Sequence, residues 1–178
     1  MIIRFLNNDD VQSYTVLRKY SLVESPFAFS DSYEDQENKI MLHYQSEIEK
    51  WGNPLEAFTL GAFNVANELV GFVKFKRDQR TKARHRASLH SLYVKPAYRG
   101  QGLAKLLVNE LMKIIEPIQG IEQLQLSSIV SHISLIEFYE KLGFQKLGGL
   151  LEKDLIINGE YVDAWYMVKY LTQNGNPK

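Results

Sequence analysis

A chain of 178 residues with 45% hydrophobic side chains can bury a substantial core and is expected to form one domain over residues 1–171. Its 21 Lys and Arg residues cancel its 21 Asp and Glu residues, which argues against a general nucleic-acid or polyanion binder. The lack of cysteine excludes disulfides, thiolate metal sites and a cysteine nucleophile. The opening MIIRFLNNDD has too short an apolar stretch for a signal peptide, and no apolar run approaches the length of a membrane span. A cytoplasmic enzyme with no membrane partner is the default expectation.

In chain order, Ile2–Leu6 reads as a short strand. Asn8, Asp9 or Asp10 can cap a helix with Val11, Tyr14 and Leu17 on one face, ending near Glu24 because Ser25-Pro26 disfavours continuation. Ser25–Tyr33, SPFAFSDSY, reads as a loop presenting two phenylalanines. Ser32 followed by Asp35 offers an N-cap for a second helix reaching about Lys50, with Ile40, Met41, Tyr44, Ile48 and Trp51 as its apolar stripe. Three strands follow: one alternating Phe58, Leu60 and Ala62, one over Leu69–Arg77, and a long one over Lys82–Val94. Their short connections predict an antiparallel meander. The basic run Lys74–Arg86 reads as the solvated face and tip of a hairpin.

The next stretch, Leu89–Ile115, is a strand, a turn at Pro96, a glycine loop and a helix. Leu103, Leu107, Leu111 and Ile114 recur at helical spacing, with Leu106 and Ile115 widening the stripe. Arg99-Gly100-Gln101-Gly102-Leu103-Ala104-Lys105 therefore places small residues and unsatisfied N–H groups at a helix start, which suits a phosphate or pyrophosphate. Beyond it, Gln123–Val130 reads as a strand, His132–Leu142 as a helix closed by Gly143, and Phe144–Leu151 as a strand. Asp154–Glu160 reads as a loop turning at Asn158-Gly159, Tyr161–Leu171 as a final strand, and residues 172–178 as a loose tail. Periodicity alone gives a mixed α/β domain with a largely antiparallel sheet.

The run V-x-P-x-x-R-G-x-G-x-A, with Arg99, Gly102 and Ala104 in register, resembles the acetyl-coenzyme A signature of the GCN5-related N-acetyltransferase (GNAT) superfamily. The resemblance implies a seven-stranded sheet flanked by about four helices. The sheet is splayed between its fourth and fifth strands, with the pantetheine arm in the gap. It implies backbone amides of Arg99–Lys105 on the pyrophosphate, and Leu92, Tyr93 and Val94 around the thioester, with a backbone N–H near Val94 on the acetyl carbonyl.

Tyr139, in IEFYEKLGF, resembles the superfamily tyrosine that sits near the sulfur as general acid, with Phe138 beside it. The alternative is a packing tyrosine. His132 stands where relatives often carry a pantetheine-binding asparagine, and Leu135 where they carry alanine; His132 either takes over that contact or only caps the helix. His90, in SLHSLYV, resembles the second of two histidines in arylalkylamine N-acetyltransferases, the first position being Ser88 here. It is a candidate base, with a half-buried structural histidine as the alternative. Many members use a glutamate on this strand, and Lys82–Val94 contains none. Plain strand parity groups His90 with Ser88, Leu92 and Val94; a bulge would change that facing.

The implied function is acetyl transfer from acetyl-CoA to a primary amine within a ternary complex. The acceptor is a small-molecule amine or a peptide or protein amine, met by the first helices, by Phe27, Phe29 and Tyr33, and by the Asp154–Glu160 loop. Other readings are a non-catalytic acyl-CoA-binding or sensor module, or an RNA- or ribosome-associated protein using the basic hairpin. The four histidines show no metal-binding spacing, so no metal is expected. The open edge of the final strand leaves a homodimer open.

Overall fold

The computed structural model describes residues 1–39, 41–50 and 52–171. Ile40 and Trp51 of the expected apolar stripe, and the tail 172–178, lie outside the described residues. Strand β1 (Ile2–Phe5) opens the chain. The Asn7 side chain accepts from the Asp9 N–H at 2.9 Å and Asp10 reaches back to the Asn7 N–H at 3.0 Å, so a tight turn leads into α1 (Val11–Glu24). This helix ends before Ser25-Pro26, as pre-proline sterics require. The Ser32–Asp35 capping box starts α2 (Tyr33–Glu37), and α3 (Met41–Lys50) follows. The sequence reading has one continuous helix here. The break comes at Asn38, a residue whose side chain competes for backbone hydrogen bonds and so favours helix ends.

Strands β2 (Ala57–Phe63), β3 (Leu69–Arg77) and β4 (Arg86–Val94) form the expected antiparallel meander. The third strand begins at Arg86 rather than Lys82, because Thr81–Ala83 coil into a single 3-10 turn. Then come α4 (Leu103–Ile115), β5 (Gln123–Ile129), α5 (Ile133–Lys141), β6 (Gln145–Lys146), β7 (Leu151–Ile157) and β8 (Glu160–Tyr170). Two C-terminal expectations are corrected. The strand expected over Phe144–Leu151 shrinks to β6, since Gly148 at φ +76° turns the chain. The expected Asp154–Glu160 loop is mostly strand. Only Asn158 and Gly159, at φ +54° and +82°, form the turn, as suits a two-residue hairpin with both central residues left-handed.

The strand order is β1-β2-β3-β4-β5-β8-β6, with β7 also on β8, and among the described strands only the β4–β5 pair is parallel. This is the mixed α/β, mostly antiparallel architecture expected, with eight strands when the two-residue β6 is counted. One face packs under α1 and α3 through Tyr14, Leu17, Tyr44, Phe72 and Tyr93. The other packs against α4, whose Leu107, Leu111 and Ile115 are fully buried and contribute about 1.5–3 kcal/mol each. Leu106, expected on that stripe, is exposed. No described helix is long and apolar enough to cross a membrane.

Strands β4 and β5 pair at only three positions, Arg86–Gln123, Ala87–Leu124 and Ser88–Gln125. Beyond them the described strands diverge, and the sheet opens into a gap. The basic hairpin is paired largely within itself. Arg80 and Arg86 meet Asp78, Arg84 meets Glu56, and Arg77 donates to the carbonyls of Arg84 and Gly120. Lys74 is not part of a solvated face: it is 7% exposed and contacts Glu47.

Candidate active site

The loop between β4 and α4 presents a donor-rich helix start. Gly102 is the N-cap of α4 at φ +79° and Gly100 sits at φ +73°, conformations that favour glycine. A Cβ built on either meets nothing within 4 Å, so this backbone faces open space. The helix's own ladder begins with the Leu106 N–H on the Gly102 carbonyl at 3.0 Å. The amides of Leu103, Ala104 and Lys105 precede it and carry the partial positive charge of the terminus. They open on a cavity of about 400 Å³ lined also by Val94, Tyr98, Phe138 and Lys141. Gln101 lies outside this lining, with its amide on the Ala97 carbonyl at 3.1 Å.

The Arg99 side chain is held from behind. Its Nε donates to the Val94 carbonyl at 2.9 Å, and its terminal nitrogens reach the two Glu24 oxygens at 3.0 and 2.5 Å and Ser25 Oγ at 3.1 Å. Tyr93 also donates to Glu24, at 3.0 Å. Burial alone would raise the Glu24 pKa, but the hydrogen bonds from Arg99, Ser25 and Tyr93 outweigh it and hold the carboxylate below its usual range. The end of α1 and the glycine loop are thereby tied through one carboxylate.

A bulge divides β4. His90 pairs with Lys74 and Tyr93 with Phe72, so Ser91 and Leu92 together face Val73. Ser91 takes φ +53°, which is uncommon for a residue with a Cβ. Facing reverses across this point. Ala87, Leu89, Leu92 and Val94 belong to the α4-side core, whereas Tyr93 belongs to the α1-side core. His90 therefore does not share a face with Leu92 and Val94, as plain parity has it. It shares one with Ser88 and Tyr93, and Tyr93 lines neither cavity.

His90 opens onto a second cavity, of about 540 Å³, lined from β4 by Ser88–Leu92, from β5 by Gln125–Ile129 and from α5 by Leu135 and Tyr139. His90 is exposed at the mouth of this open space, with the protein around it displacing part of its water. Burial, then the cations of Lys74 and Lys76, push its pKa below the ordinary imidazole range, with Asp31 opposing. The imidazole is therefore neutral near pH 7, the form that can accept a proton. Tyr139 is 5% exposed, and burial raises its pKa, so it stays a phenol. Its ring is braced edge-on by Phe138 and Phe144, with centroids 5.2 and 5.6 Å away. Helix α5 thus gives Phe138 to the cavity at the glycine loop and Tyr139 to the one at His90. Strand β4 gives Val94 to the first and Ser88–Leu92 to the second.

The other expected residues divide. Phe27 and Phe29 line the larger cavity, but Phe29 is buried at 8% rather than presented, packing 6.2 Å from Tyr93. Tyr33 begins α2 and is not in the lining. His132 makes no side-chain cap bond; its ring lies 5.9 Å from that of Phe27. Asp154 and Leu155 reach the cavity from β7, not from a loop.

A model of the acetyltransferase (GNAT) family matches residues 20–144, a span that contains the last turn of α1, the glycine loop, both cavities' β4 walls and α5. The chain belongs to the GNAT family. Two relatives fit that placement. One is L-amino acid N-acetyltransferase AaaT of Escherichia coli (strain K12), 28% identical over 105 residues, 59% of this chain and 64% of that protein. The other is spermidine N(1)-acetyltransferase of Vibrio cholerae, 29% identical over 94 residues, 51% of this chain and 54% of that protein. The matched part is thus under two thirds of the length of either relative. A phosphinothricin acetyltransferase of Sinorhizobium meliloti, solved in complex with AcCoA, has the same fold at a TM-score of 0.82 and 19% identity, covering 99% of this chain and 91% of that one.

In this GNAT chain several cavity residues escaped the sequence reading. Arg18 stands four residues after Tyr14, on the buried stripe of α1, and helical spacing alone could have marked it. Lys74 and Lys76 alternate with Val73 and Phe75 on β3, and strand parity puts both lysines on one face. Glu24 carried no local signal: its partner Arg99 is 75 residues away.

Proposed function

We propose that this protein, over residues 1–171 as one catalytic domain, transfers the acetyl group of acetyl-CoA to the nitrogen of an amine held with it in a ternary complex. The observation that carries this reading is the adjacency of the two cavities along β4 and α5. One is floored by amides at a helix start. The other is lined by a neutral imidazole and a protonated phenol. The open backbone at Gly100 and Gly102 fits a pyrophosphate, and the gap between β4 and β5 fits a narrow arm running from it.

In this reading acetyl-CoA supplies an activated thioester carbon. The amine nitrogen forms the new N–C bond as the C–S bond breaks. His90 Nδ1 or Nε2, directly or through a water, takes the proton the amine gives up, and the Tyr139 hydroxyl gives one to the departing sulfur. Proton exchange with solvent resets both side chains. Backbone of β4 around Val94 orients the carbonyl, and the β4–β5 gap limits water around it.

The test is calorimetry with acetyl-CoA, coenzyme A and ATP, followed by thiol release with an amine panel. Binding of both coenzyme A species and not ATP, with amine-dependent thiol release, is expected. No binding by folded protein would remove the loop assignment. Binding without turnover on any amine would leave a coenzyme-binding module.

A further inference from the structure

The larger cavity has a charge character that bears on the acceptor. Arg18 is 3% exposed and lines it from α1. Its Nη2 donates to Asp31 at 2.6 Å and its guanidinium lies 4.5 Å over the Phe29 ring, but its Nη1 is buried without a hydrogen-bond partner. Ser128 Oγ, which lines the same cavity from β5, is likewise buried and unpartnered. Buried polar groups left unpaired are costly, and natural structures keep few of them. Lys74 and Lys76 line the same cavity from β3, across from His90 and Ser88.

The acids among the lining residues are Asp31 and Asp154, and Asp31 is already engaged by Arg18. At the His90 ring, Lys74 and Lys76 each outweigh Asp31. Lys74 is tied to Glu47 and burial lowers its pKa to about 7, so the cations an acceptor meets are chiefly Arg18, through its unpartnered Nη1, and Lys76, with apolar walls from Phe27, Phe29, Leu92 and Leu135.

We propose that the acceptor is an amine carrying its own anionic group, as an α-amino acid does, with that group received by Arg18 beside Lys74 and Lys76. The proposal rests on the acetyl-transfer reading above and narrows it. A carboxylate oxygen on Arg18 Nη1 completes a charge-assisted pair that the protein alone leaves half made. A polyamine offers Arg18 Nη1 no anionic acceptor and brings further cations beside Arg18 and Lys76, and like charges brought together select against it. The two relatives' named acceptors, an L-amino acid and spermidine, differ in this respect, and the cleft favours the first kind.

The test compares leucine, phenylalanine and methionine with their amides, and with spermidine, by acetyl-CoA-dependent thiol release. In parallel, calorimetry follows binding of the same compounds to the complex with coenzyme A. The free acids are expected to exceed their amides and spermidine about tenfold or more in kcat/KM, the size expected of a hydrogen bond to a charged group. Arg18→Met is expected to erase that preference mainly through KM. Arg18 is buried, so Lys76→Gln, at an exposed position, is the second variant, and a severalfold loss of the preference is expected of it. Amides or spermidine matching the acids would overturn the anion site and leave acetyl transfer standing. Acids that bind the coenzyme A complex and lose binding in the variants, but release no thiol, would keep the anion site and overturn the transfer. No preference in either assay overturns the proposal.

Discussion

Tyr139 and His90 sit in one cavity and are shifted in opposite senses by the same physical cause, burial, which disfavours a charge on either. The phenol is kept from losing its proton and the imidazole from gaining one. Tyr139→Phe keeps the ring packing against Phe138 and Phe144 and removes only the hydroxyl. A fall in kcat of about a hundredfold is expected with coenzyme affinity unchanged, measured by steady-state kinetics and calorimetry. Full activity would retire Tyr139 as the acid. His90 works as a base only when unprotonated, so activity is lost as pH falls through its pKa. Because that pKa is depressed, the acid limb of kcat/KM should lie below about pH 6.5. His90→Gln should lower kcat/KM by about tenfold to a hundredfold and flatten that limb. An acid limb that persists unchanged in the variant belongs to another group.

At the scale of elements, the start of α4 is the part most exposed to a single change. Gly102 combines φ +79° with open space in front of it. Gly102→Asp adds a strained backbone and a carboxylate where amides point outward. Coenzyme A affinity should drop by tenfold or more, about 1.4 kcal/mol or above, in calorimetry, while Leu103, Leu107 and Leu111 keep the helix docked. Unchanged affinity would dissociate the loop from coenzyme binding. Local features of this kind were legible in the sequence. Pro26 ends α1, Ser32 and Asp35 start α2, and Asn158-Gly159 turns the β7–β8 hairpin, each through chemistry confined to a few neighbouring residues. The facing of His90 was not, because the extra residue in β4 is defined only against β3. The partition of 144–157 was misread for a related reason: β7 exists by pairing with β8, and its own residues alternate poorly.

For the molecule as a whole, periodicity led to the mixed α/β architecture and the motifs at 99–105 and Tyr139 to the family, whereas the character of the larger cavity stayed out of reach. Arg18 comes from α1, Lys74 from β3, Ser128 from β5 and Asp154 from β7. Only folding brings them together, and no spacing in the chain records it. The same holds for Glu24, which gathers Arg99, Tyr93 and Ser25 from two distant segments. One last consequence follows from the brevity of the β4–β5 ladder. A strand flank with unanswered backbone groups is ordinarily a hazard on a protein's outside, because another chain can add itself there. Past Ser88, β4 keeps such a flank in the middle of the molecule, on the cavity it lines together with β5. A slender, extended group able to hydrogen-bond along its length suits such a flank. This unfinished seam is therefore also a filter on the shape of what completes it.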